Sequence, residues 1–125
     1  MLLTTLQVAL GGALGASARF LTGVAVLRLT GPGFPLAVLG VNVVGSFLMG
    51  MFVVWAAQRG GTHLSPFVMT GVLGGFTTFS AFSLEAVTLF ERGEITQAGL
   101  YVALSVILSI AGLCLGLWVA RGAFA

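Results

Sequence analysis

The densest run of polar side chains within an apolar stretch is Gly71-Val-Leu-Gly74-Gly75-Phe76-Thr77-Thr78-Phe79-Ser80-Ala81-Phe82-Ser83. Gly74–Gly75 followed by Thr77–Thr78 is poor helix-forming sequence. A break there would free backbone carbonyl and N–H groups, and freed carbonyls suit a hard cation such as Na⁺. In a membrane, such backbone is tolerated only where it is buried in protein or lines a polar cavity, and discontinuous helices at mid-membrane form ion sites. The same residues also fit an unbroken helix, with glycines as a packing face and threonine hydroxyls bonded back to the backbone.

Phe76, Phe79 and Phe82 recur every third residue, with Ser80 and Ser83 beside them. Phenylalanine at this spacing is ordinary core or lipid-facing material. Ring edges are electropositive, however, so rings presented edge-on among hydroxyls could also meet an anion. Tyr101, Ser105 and Ser109, spaced by four, place three hydroxyls on one side of a helix. They suit either partial replacement of an anion's water or interhelical hydrogen bonding. Asn42 lies deep in an apolar run, where an amide without partners costs several kcal/mol. Its NH₂ could donate to an anion and its carbonyl could hold a neighbouring helix. Arg19 and Glu85 are the two charges placed most clearly within apolar runs, which makes them functional candidates. Arg19 could also snorkel or cap carbonyls. Glu85 falls about two turns from the expected end of its helix, which fits a vestibule. His63 reads as a surface residue with no neighbour to complete a metal site, and Cys114 as a small hydrophobe. No catalytic constellation and no nucleotide-binding loop is present, so an enzyme is not expected.

These residues need elements to hold them, and composition says which. Of 125 residues, 58% are hydrophobic and 6% charged, with a mean hydropathy of +1.16. A soluble domain carries about 25% charged residues, and disorder needs far lower hydrophobicity. The chain reads as an integral membrane protein. Lys and Asp do not occur, and charge-free runs cover 1–18, 29–58, 60–84 and 95–120. A spanning helix needs about 20 apolar residues, so four crossings leave only short loops. A single four-helix transmembrane domain over 1–125 is expected, without a soluble domain, linker or tail. The net charge of +2 is too small and dispersed for nucleic acid. The N-terminus lacks the basic region of a cleaved signal and reads as a retained first span.

The expected helices are about 4–28, 35–59, 65–91 and 96–121. Gly31-Pro32-Gly33 ends the first, and Pro35 suits the first turn of the second. Ser65-Pro66 opens the third, and Gly122 is a C-cap candidate for the fourth. Arg59 and Arg121 fall on one side of the membrane, Arg28 and Arg92 on the other. With the arginines balanced, the positive-inside rule favours neither orientation. Insertion both ways round, and with it an antiparallel homodimer, is open. Gly11-x₃-Gly15, Ser46-x₃-Gly50, Gly71-x₃-Gly75 and Gly112-x₃-Gly116 fit small-residue helix contacts. Four helices enclose little volume, so a water-filled path belongs more naturally between subunits.

Three stretches together resemble the Fluc/CrcB fluoride-channel family. They are Gly11-Gly-Ala-Leu-Gly15-Ala-Ser-Ala-Arg19-Phe20, Gly40-Val-Asn42-Val-Val-Gly45-Ser46-Phe47, and Gly71 to Glu85. The resemblance covers the whole chain. It implies an inverted homodimer of four-helix subunits in the cell membrane, with the third helix broken near the midplane and two pores built from both chains. It implies that Phe79 and Phe82 meet fluoride with their ring edges, that Asn42 is the pore asparagine, and that Ser80 joins Tyr101, Ser105 and Ser109 along a polar track. Glu85 falls near a vestibule, and Arg19, Gly75 and Thr78 are structural. Gly74 and Thr77 would offer carbonyls to a structural Na⁺ at the dimer centre. Ala81 and Phe20 depart from the Thr and Tyr of many members, which predicts altered hydrogen bonding along the track.

The implied function is passive export of cytoplasmic fluoride, protecting the cell from its toxicity, with no nucleotide or coupling carboxylate. A small dual-topology multidrug exporter shares the size and span number, but it needs an acid in the first helix, where this chain has Arg19. A non-transporting scaffold would leave three polar motifs within spans unexplained.

Overall fold

The computed structural model, which describes residues 1–124, is all helical. Helix α1 covers Leu2–Thr30 and α2 covers Leu36–Arg59. The third span opens with a 3₁₀ turn at Thr62–Leu64 and winds as a π-helix over Pro66–Leu73. It continues as the single turn α3 at Gly74–Phe76, and resumes after an interruption as α4, Ser80–Glu91. Helix α5 covers Ile95–Ala123. All four spans are long and apolar enough to cross a membrane. Helix α5 runs through Gly122 to Ala123 and is capped at Phe124, so Gly122 is not its cap.

The turns follow from local chemistry. Gly31, at φ 72°, takes the backbone out of α1 while its N–H closes on the Leu27 carbonyl at 2.8 Å. Gly60, at φ 70°, ends α2 in the left-handed region that favours glycine. Gly93, at φ 83°, turns the chain between α4 and α5.

The helices pack as two pairs, α1 along the first half of the third span and α2 along α5, with α4 leaning on α5. Glycine makes both contacts close. A methyl on Gly75 would fall 2.7 Å from the Gly12 carbonyl oxygen, and one on Gly71 would fall 2.9 Å from Gly11 Cα. Across the other pair, Gly116 lies against the backbone of Phe47 and Met51, and Gly50 against that of Leu113 and Leu117. Large apolar side chains such as Leu10, Ile107 and Trp118 point outward. In water, such a surface would be an adhesive patch. Around a bilayer-spanning bundle, it faces hydrocarbon. This is a multi-pass membrane protein.

Candidate functional site: a polar groove beside an interrupted helix

An unbroken helix passes each N–H back four residues. Here the last regular bond runs from Thr77 N–H to the Leu73 carbonyl at 3.0 Å. Thr77 then turns extended, at φ −87° and ψ 161°, and the ladder is re-routed. Thr78 N–H donates to Asn42 Oδ1 at 2.8 Å, while Asn42 Nδ2 donates to the Thr78 carbonyl at 2.9 Å. The Gly75 carbonyl accepts from Arg19 Nε at 3.1 Å. The Thr78 hydroxyl accepts from Ala81 N–H at 3.1 Å, satisfying one free donor at the start of α4. Regular bonding resumes with Ser83 N–H on the Phe79 carbonyl at 2.9 Å. Three spans thus supply the side chains that hold the interruption.

Among the described residues, the carbonyls of Gly74 and Thr77 accept no hydrogen bond. Thr77 does bond its hydroxyl back to Leu73 at 2.8 Å, as in a continuous helix, although the helix stops there.

Beside the interruption lies a groove of about 590 Å³ between α2, the third span and α5. It gathers Asn42, Phe79, Phe82, Ser105 and Ser109, together with Gly74, Thr77 and Thr78. Ser105 is 6% exposed, and its Oγ has no hydrogen-bond partner among the described residues. Phe79 and Phe82 meet at 64° with centroids 5.4 Å apart. Phe79 is 77% exposed at the outer face of the subunit, whereas Phe82 is buried.

Other candidates sit outside this groove. Tyr101 is fully buried, with its ring 5.2 Å from Phe82 and 5.6 Å from Phe34. Its hydroxyl donates to Glu85 Oε2 at 2.9 Å. Ser80 lies 3.4 Å from the Thr78 hydroxyl. Phe76 is spent on packing near Gly45. Arg19 and Glu85 line a second, larger and mainly apolar cavity of about 820 Å³, formed by α1, the 31–35 loop, the start of α2 and α4. Arg92 and Thr88 also line it. Ser46 and Met49 line the first groove, although the sequence presents Ser46 only as a small packing residue. Its position four residues after Asn42, on the same helix face, is the signal that points to the groove.

A family model described as "CrcB-like protein, Camphor Resistance (CrcB)" matches residues 6–117. A protein of Roseobacter denitrificans named fluoride-specific ion channel FluC is 74% identical over 119 residues, 94% of each chain. Proteins of the same name are 72% identical over 123 residues in Ruegeria sp. and 62% identical over 122 residues in Cereibacter sphaeroides, each match covering 98% of both chains.

Proposed function

The chain belongs to the CrcB-like family, and from that membership and the groove we propose that it is a fluoride-selective passive channel exporting cytoplasmic fluoride. The observation that carries this reading is the groove itself. It joins an amide, three serines, two threonines and two phenylalanine rings, with no fixed charge among them. Such a lining can replace part of an anion's hydration without holding it so strongly that it cannot leave. Asn42 uses one N–H on Thr78 and keeps a second donor. Ser105 brings a hydroxyl that no protein group occupies. Phe79 and Phe82 offer ring edges, the positive part of the aromatic quadrupole. The second cavity, with Arg19 and Glu85, suits a vestibule.

The driving force needs no chemistry in the protein. An anion moving outward through a passive pore gains about 2.3 kcal/mol per 100 mV of membrane potential. Fluoride enters as neutral HF and dissociates at higher internal pH, so a pore that passes F⁻ drains the trapped form.

The assembly belongs to the same proposal. The groove opens at the surface of one subunit, and Phe79 projects there. An inverted second copy would close the groove and complete a pore at the subunit boundary. Arg28 and Arg92 against Arg59 and Arg121 support insertion in both orientations. The carbonyls of Gly74 and Thr77, left without donors at the interruption, fit the oxygen set that Na⁺ prefers. A subunit pair offering both sets would hold Na⁺ as a structural ion, which would cancel the dipoles of the exposed backbone.

The test is growth. In a bacterial strain stripped of its own fluoride exporter, this chain should restore growth in millimolar fluoride. Failure to do so, with the protein verified in the membrane, would contradict the reading.

A further inference from the structure

Six of the seventeen serine and threonine hydroxyls are spent on the carbonyl four residues back. Thr22, Thr30, Ser83 and Thr88 each donate to the carbonyl four residues back, at 2.7–2.9 Å. Ser46, Ser105 and Ser109 line the polar groove together, and among the described residues none of them makes such a bond. Asn42 and Ser46 are one turn apart on α2, as Ser105 and Ser109 are on α5. The groove therefore has two polar stripes, one on each wall. Ser105 Oγ is buried and has no hydrogen-bond partner among the described residues, so one polar atom of the α5 stripe is not spent on the protein.

We propose that Ser46 is a fluoride-binding residue of the pore, whose hydroxyl receives the anion from Asn42 one turn along α2, at a level beyond Ser105 and Ser109. That level follows because α2 and α5 run side by side in the same direction, with Gly112 against Val43 and Gly116 against Phe47. The proposal rests on the channel reading above. Beyond Ser46 the α2 lining turns apolar with Met49. Ser46 is thus the last polar group on the α2 wall, and its loss would lengthen the stretch with no donor on that side. A hydroxyl donating to an anion forms a charge-assisted bond, about twice as strong as a neutral one.

The rival role is packing, because Ser46-x₃-Gly50 is also a small-residue pattern on a tightly packed helix. The two roles predict opposite orders for two variants. Ser46→Ala keeps the small size and removes the hydroxyl; Ser46→Thr keeps the hydroxyl and adds bulk. Fluoride efflux from liposomes would be compared for wild type, S46A, S46T and a control, Ser17→Ala, which lies on the exposed side of α1. The proposal expects S46A to slow efflux about tenfold with its elution as an assembled protein unchanged, S46T to remain the faster of the two, and S17A to match wild type. S46A within twofold of wild type, or S46T slower than S46A, would overturn it. Absence of fluoride efflux from wild type would instead overturn the channel reading on which it stands.

Discussion

Asn42 and Thr78 form a two-bond pair: the amide of one residue engages the backbone N–H and carbonyl of the other, at 2.8 and 2.9 Å. The side chain stands in for the helical neighbours that Thr78 lost when the third span was interrupted. Asn42→Asp keeps the acceptor but removes the donor to the Thr78 carbonyl, and it sets a negative charge in an anion path. Fluoride efflux should fall at least a hundredfold in N42D. Asn42→Ala, which leaves both Thr78 groups unsatisfied at about 1–3 kcal/mol each, should also lower the melting temperature measured in detergent.

Arg19 serves the same interruption from the opposite side, through Gly75. Arg19→Lys keeps the charge but not the planar guanidinium that donates through Nε. R19K should therefore lose stability by about 1–2 kcal/mol, nearly as much as Arg19→Ala. Thermal unfolding of the purified variants measures this, and full stability in R19K would show that charge alone is enough.

Tyr101 and Glu85 share a partly buried hydrogen bond at 2.9 Å. Tyr101→Phe leaves the carboxylate without its donor, and Glu85→Gln keeps a weaker acceptor. Residues in one bond do not act independently. The double variant should cost less, in efflux rate and in stability, than the sum of the single ones. Strict additivity would separate the two residues functionally.

The glycines divide sharply. A methyl on Gly116 would strike the backbone of Phe47 and Met51, whereas one on Gly99 or Gly122 meets nothing within 4 Å. Gly116→Ala should prise α5 from α2, at about 1–3 kcal/mol, and distort the groove those helices form. Gly99→Ala should be neutral. Yield and melting temperature of the two proteins check the contrast.

The four spans are legible in the sequence because charges are so few: Arg28, Arg59 and Arg92 fall at helix ends, and the runs between them are long enough to cross. The weak point at Gly74–Thr78 is legible from propensity, since two glycines and two threonines give a helix little reason to continue. Its partners are not. Asn42 and Thr78 are 36 positions apart, Arg19 and Gly75 are 56 apart, and no local period links them. Nor does residue spacing distinguish Tyr101 from Ser105. Both lie on one stripe of α5, yet the tyrosine reaches Glu85 and aromatic neighbours while the serine opens into the groove. The π-helical winding of Pro66–Leu73 leaves no trace in the hydropathy pattern, because it changes the hydrogen-bond step without changing which residues are apolar.

The most direct measurement is anion release from liposomes holding the purified protein, started with valinomycin in a K⁺ gradient, with fluoride-loaded and chloride-loaded vesicles in parallel. A fluoride-selective passive channel predicts rapid fluoride release with chloride retained, and loss of the fluoride signal in N42D. Fluoride retained by vesicles holding assembled protein, or chloride released as fast as fluoride, would contradict it.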